Sequence, residues 1–364
     1  MKHLKFPLYL LLAILMVSGL VACDENGNDE NPFAEKEAML APAVAQYVNS
    51  TVIVTYKSLA DASIELYDAL HQLKENKSPE NLVAATQIWI ETRRHWERSE
   101  AFLFGPVADF GIDPHIDTWP LDEPAFINTI NNVGYIESMA AENGDVWAEE
   151  HLGPSLLGFH GIEYILFANG APKNVSAITD KELIYATAVA GDLRNQCVRL
   201  EEAWSQDPVA YGENMLLAGK PGSNYRTITA AAVAILEGCM DISAEVGEVK
   251  IGTAYSKDDV NYIESPYSYN SKVDFIDNIK SIENAYLGGA DANKRGESVS
   301  DYIKSVDPKV DTDVRNAIKE AIAKIEAIPY PFAINYASVQ AGKAMEACAD
   351  LTRALTAAKG VLEK

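Results

Sequence analysis

The chain has 364 residues, 48% of them hydrophobic and 23% charged, and a formal net charge of −23. That length and apolar content build one large core or two helical bundles, and the acidic balance excludes nucleic acid and anionic lipid surfaces as electrostatic partners. Beyond residue 23 only Cys197, Cys239 and Cys348 remain, far apart and without a C-x-x-C, which excludes a disulfide scaffold or a zinc ribbon.

Residues 1–22 read as a lipoprotein signal peptide. Lys2 and Lys5 precede an apolar run from Leu8 to Ala22, too short for a comfortable membrane span. The run ends Leu20-Val21-Ala22-Cys23, the pattern of a bacterial lipobox. Cys23 is therefore the expected lipid anchor, and the outer membrane, on its periplasmic or outer surface, the expected location. Residues 23–33 form a polar, flexible tether.

From there the periodicity is helical throughout. Glu35 to Lys74 carries one stripe through Val44, Val48, Leu59, Leu66 and Leu70. Ser78-Pro79-Glu80 opens a second helix, expected to reach about Phe104, with Ser as cap and Pro in the first turn. Trp89, Arg93, Trp96 and Glu100 share a face of it, a polar surface with aromatic walls; a plain Arg93–Glu97 surface pair with tryptophan packing is the alternative. Residues 107–122 are irregular and offer Asp113, His115, Asp117 and Asp122. Loops of that length in compact domains tend to be functional, although Asp before Pro and Asp at a helix start are also ordinary turn chemistry.

Gly153 to Asn169 is the stretch around which the rest is organised. It reads as one interior helix, apolar nearly all round, with His160 and Glu163 in its middle. Three residues apart, the two side chains leave on one face. Burying a carboxylate and an imidazole is costly unless both are hydrogen-bonded, paired or metal-bound. Gly158 and Gly161 flank the histidine, each weakening a helix by about 1 kcal/mol relative to Ala, as if something approaches closely. The structural alternative is a satisfied His–Glu pair locking two helices together.

Beyond it, Thr179-Asp180-Lys181-Glu182 is a capping box opening a helix to about Ser205. Further helices are expected from Ser223 or Asn224 to Val246, over 271–287, 296–305, 307–328 and 336–362, with a loose, tyrosine-rich stretch over 247–270. No strand-period segment occurs, so the fold class is all-α. Glu100-Ala-Phe-Leu-Phe-Gly105 aligns with Glu283-Asn-Ala-Tyr-Leu-Gly288, consistent with two related bundles, residues 34–210 and 211–364. All six histidines lie at or before His160, so a histidine site belongs to the first bundle or to the seam between the two.

Gly158-x-His160-x-x-Glu163 matches the G-x-H-x-x-E signature of the imelysin family, which the chain resembles. Trp96-x-x-x-Glu100-x-Phe102-x-Phe104-Gly105-Pro106, Ile116-Asp117-x-Trp119-Pro120 and Ile282-x-Asn284-x-Tyr286-Leu287-Gly288 support it, in family order across most of the chain. The resemblance implies two helical bundles with a functional site where they meet. It also implies an envelope protein tied to bacterial iron uptake, with transporter components as partners, and a classification as metallopeptidase. By carry-over His160 and Glu163 are metal-site residues, with Glu100 and Asp117 as companions. Gly158, Trp96 and Trp119 from the same motifs, and Arg93 beside Trp96, are the candidate ligand contacts.

Three functions compete on chemistry. Iron accepts imidazole and carboxylate together, so His160, Glu163 and Glu100 would bind it as the ion or as part of a complex. Di-iron bundles use two Glu-x-x-His motifs; one motif in reversed order points to a mononuclear metal, iron or zinc, or to none. A zinc peptidase needs H-E-x-x-H or H-x-x-E-H, and residue 164 is Tyr, so another ligand would have to come from His95, His115 or His151. The third possibility is a metal-free binding or scaffolding lipoprotein whose partner surface is the stretch Tyr255 to Tyr269.

Overall fold

The computed structural model describes residues 32–364; the leader, the lipobox with Cys23 and most of the tether lie outside the described residues. The first helix begins at Pro32, inside the stretch expected to be tether. It runs Pro32–Gln46, takes a π-helical turn at Tyr47–Val52 and continues as Ile53–Glu75. By length and composition it could cross a membrane. Here Leu40, Val44, Val48, Val52, Leu59, Leu66 and Leu70 are instead buried against other helices, which is the 3.6-residue stripe doing the work of a core.

Ser78 accepts the Asn81 N–H and caps the helix Pro79–Glu97. That helix stops short of the expected Phe104. The Ser99 hydroxyl donates to the Trp96 carbonyl and the Ala101 N–H donates to the Ser281 hydroxyl, so tertiary partners replace the next helical turn and a 3-10 turn, Glu100–Phe102, takes over. The Thr179–Glu182 capping box is present and opens Asp180–Ser205. The helix Ile53–Glu75 packs on both Pro79–Glu97 and Asp180–Ser205, with Gly144–His151 and Gly158–Leu166 against the last.

A second set of long helices comprises Ile228–Glu245, Ser271–Leu287, Pro308–Glu326 and Val339–Leu362, each touching its neighbours in the set. The first of these starts later than expected, because Thr227 is its cap and the Glu37 carboxylate accepts the N–H groups of Ile228 and Thr229. A second π-helical turn, Val246–Ile251, extends it into the short helix Gly252–Lys257. The two sets meet where Ser271–Leu287 lies on Pro79–Glu97 and where Ile228–Glu245 lies on Pro32–Gln46 and on the Glu100–Phe102 turn.

The fold is all-α. Among the described residues the strand content is one two-residue ladder, Phe167–Ala168 antiparallel to Ala171–Pro172. The three cysteines are buried and free, small apolar residues whose thiols burial makes inert; Cys348 is pushed up to about 12.

The junction of the two sets is close enough to exclude a methyl group at one point. A Cβ on Gly238 would lie 2.2 Å from the Ala101 carbonyl oxygen. Gly238→Ala is expected to lower stability by about 1–3 kcal/mol, read as a lower urea midpoint with unchanged slope. An unchanged midpoint would contradict this packing.

Candidate functional site

The central stretch is not one helix. Pro154–Leu156 is a 3-10 turn, Leu157 is extended, and the helix proper is Gly158–Leu166. Gly158 therefore opens the helix rather than interrupting it. Its φ is +67, and a Cβ there would lie 2.1 Å from the Ile116 carbonyl oxygen, so only glycine lets the two backbones touch. The neighbour that the glycine signalled is thus the chain's own turn, Asp113–Ile116, and not a guest. That contact sets the next residue, Asp117, against His160. Gly161 faces the Tyr185 hydroxyl, which donates to the Leu156 carbonyl.

His160 is 2% exposed. Its Nδ1 lies 3.1 Å from Glu163 Oε2 and its Nε2 2.9 Å from Asp117 Oδ1. Burial works against a charged ring, but the hydrogen bonds to Asp117 and Glu163 outweigh it and lift its pKa to about 9. Glu163 is hydrogen-bonded through both of its oxygens. Its Oε1 accepts the Tyr267 N–H at 3.1 Å, the Ser268 N–H at 2.8 Å and the Ser268 hydroxyl at 2.7 Å, while Oε2 holds the imidazole. In this structure Glu163 orients the histidine.

Asp117 is held from three sides. Besides His160 it accepts from Arg93 and, at 2.8 Å, from the Trp96 indole N–H. Burial alone would raise its pKa; Arg93 and then His160 hold it well below the usual carboxylate range. Arg93 is 0% exposed and also pairs with Glu97 at 2.6 Å and with Glu264 at 2.5 Å. Neither Arg93 nor Trp96 faces open space, and both support Asp117 from the interior. The Arg93–Glu97 pair exists, but in the interior and not on the surface.

Lys250 enters from the π-helical turn. Its Nζ lies 3.1 Å from Glu100, 3.2 Å from Glu264 and 3.4 Å from Glu97. Glu100 is thereby committed to Lys250, one step removed from His160. Asp274 accepts from Ser265 and Asn270 at 2.6 Å each. Six buried carboxylates (Glu97, Glu100, Asp117, Glu163, Glu264 and Asp274) thus face three basic groups, Arg93, Lys250 and His160. The imbalance appears in the acids: burial raises Glu264 to about 8 against the pull of Lys250, and Asp274 to about 7 against that of Arg93.

Asp117, His160 and Glu264 each offer a ligand atom within 4.8 Å of the others, and Glu97, Glu100 and Asp117 form a second such trio. Glu264 Oε2 is buried and has no hydrogen-bond partner. One imidazole nitrogen and two carboxylates suit iron, zinc or manganese, so the residues present fit a single ion. His160 is also part of the wall of a cleft of about 700 Å3 lined by Trp119, Pro120, Asp122, Glu123, Ile263, Tyr267 and Tyr269. Trp119 is the one predicted ligand contact that lines this cleft.

Sequence reasoning missed Lys250, Glu264 and Asp274. The first two sit in the aperiodic stretch after residue 246, where no pattern singles out one acid from its neighbours. Ser265 and Tyr269 adopt φ of 50 and 57, left-handed positions that cost non-glycine residues about 1–2 kcal/mol each. The hydrogen bonds of Ser265 to Asp274 and of Tyr267 and Ser268 to Glu163 hold the loop in that form.

Residues 52–359 match the family model described as Imelysin, a peptidase family. The chain is 30% identical over 294 residues to iron-regulated protein A of Synechococcus elongatus, covering 80% of this chain and 77% of that one. A crystal structure described as an iron-regulated protein A precursor from Parabacteroides distasonis superposes with a TM-score of 0.80 at 30% identity, over 90% of this chain and 95% of the other. An imelysin-like protein from Psychrobacter arcticum shares the fold, with a TM-score of 0.60 at 14% identity over 91% and 94% of the two chains.

The raised pKa of His160 has a definite sign. Its stabilisation is full below the unfolded value near 6.5 and is lost as pH rises through about 9. Metal-free protein is expected to lose about 3 kcal/mol between those limits from this group, with raised Glu264 acting in the same sense. Urea unfolding across that range, compared with His160→Gln, checks it: the variant should show a shallower decline, and an identical decline would refute the assignment.

Proposed function

The chain belongs to the imelysin family, and from that premise we propose that it is an envelope protein that binds iron, as the ion or within a complex, for bacterial iron uptake. The ion is cargo, held by Asp117, His160 and Glu264 between the two sets of helices. The observation that carries this reading is the state of Glu264. It is a fully buried carboxylate with an unpartnered oxygen beside an imidazole and a second carboxylate, in a cluster with more acids than bases. A low-dielectric site of that sign favours a cation strongly.

Glu163 supports the same reading. A ligating histidine usually donates its other N–H to a carboxylate, which fixes the ring, and Glu163 stands in that position. The relatives named for iron regulation point the same way. The leader and Cys23 add lipid anchoring to the outer membrane, and an uptake transporter would receive the cargo. Zinc is accepted by the same donors and serves as the convenient probe.

Proteolysis fits less well. Among the described residues the two close groups of donors contain one imidazole, His160. His115 is engaged with Asp192 at 3.2 Å, His151 stacks on Trp147, and His95 pairs with Glu91. Glu163, the obvious general base, has both oxygens occupied.

Calorimetry with Zn(II), and with Fe(II) under anaerobic conditions, tests the proposal on the mature chain. One site of micromolar or tighter affinity is expected. His160→Ala should abolish it, Glu264→Gln should weaken it at least about tenfold, and Glu163→Gln about 10–100-fold. No binding by the natural chain, or binding unchanged in His160→Ala, removes the proposal.

A further inference from the structure

Lys250 is a compact, permanent cation sealed inside the cluster, 1% exposed. An ammonium has three N–H donors, and three carboxylate oxygens, from Glu100, Glu264 and Glu97, lie at 3.1–3.4 Å. It is coordinated by oxygen much as a small hard cation would be. Its backbone lies in the π-helical turn Val246–Ile251, and such turns recur where a helix must aim a side chain at a functional site. Arg93 already supplies a planar, fixed charge to Asp117, Glu97 and Glu264, so neutralisation by a guanidinium is in place without Lys250. Two of the three carboxylates it holds, Glu97 and Glu100, belong to one donor trio, and Glu264 belongs to the other.

We propose that Lys250 is a tethered competitor for the cation site: its ammonium occupies the carboxylates in the metal-free state and repels an arriving ion, so that binding stays reversible. The inference rests on the cation-site reading above and goes further by naming the residue that sets the affinity. A cargo protein must release what it binds, and a built-in counter-charge a few ångströms from the ligands weakens the hold without removing a ligand. Lys250 acts through Glu264 and the local field and is a positioning residue, not a ligand.

The test compares the natural chain with Lys250→Met by zinc calorimetry and by thermal unfolding in chelator and in excess zinc. The variant should bind zinc at least tenfold more tightly. It should melt below the natural chain in chelator, because buried carboxylates lose a partner, and gain more in melting temperature on adding zinc. A purely structural lysine predicts the loss in chelator without the tighter binding, and that result overturns the inference while leaving the site standing. Zinc binding by neither protein overturns both. Should Lys250→Met not fold, Lys250→Met with Glu100→Gln, which removes one charge of each sign, is compared with Glu100→Gln alone; tenfold tighter binding by the double variant supports the inference and equal binding refutes it.

Discussion

Arg93 is the constraint on which the rest of the site depends. Its guanidinium has no contact with water, and its neighbours are acids from four separate segments: Glu97 on its own helix, Asp117 after a short turn, Glu264 in a loop and Asp274 on the helix Ser271–Leu287. A buried charge left without a partner costs several kcal/mol, so each of those segments is pinned where it can reach the arginine. The ring of Phe159 lies under the guanidinium, 5.2 Å from its centroid, and Trp89 packs edge-on against that ring. The apolar floor keeps water out and keeps every charge above it strong. Asp117 faces His160 because Arg93 and the Trp96 indole hold it there.

The cluster is overbalanced toward acid. A set of charges meant only to lock helices together would be neutral within itself, since excess like charge in a dry interior is destabilising. Here burial raises the pKa of Glu264 to about 8 and of Asp274 to about 7, so that both take up protons more readily than ordinary carboxylates. Protons and metal ions compete for such groups, and the cation proposed above would take the place of those protons. The cleft agrees in sign, since Asp122 and Glu123 are among its lining residues, and His160 is the one basic side chain among them.

Much of the architecture was legible because it follows from local rules. Caps at Ser78 and Thr179 are where the residue types put them, and the apolar stripes of the long helices are the buried ones. The pairing of His160 with Glu163 follows from a spacing of three. What periodicity could not give was the break at Leu157, which depends on a glycine crossing a distant turn, or the early end of the Pro79–Glu97 helix, which depends on Ser281. Asp117 was legible as a polar residue in a suspicious loop, but its orientation was not. Glu264 and Lys250 were illegible for a plain reason: a loop and a π-helical turn carry no repeating pattern from which the direction of a side chain can be read.

The loop of residues 264–268 does two jobs with one piece of backbone. It delivers Glu264 to the cluster, and through Tyr267 and Ser268 it grips the carboxylate that steers the histidine. Moving that segment outward would unlatch both at once, because one backbone strap carries the two. For the cation binding proposed above, the consequence is that displacing this strap would free the steering of His160 and withdraw Glu264 in a single movement.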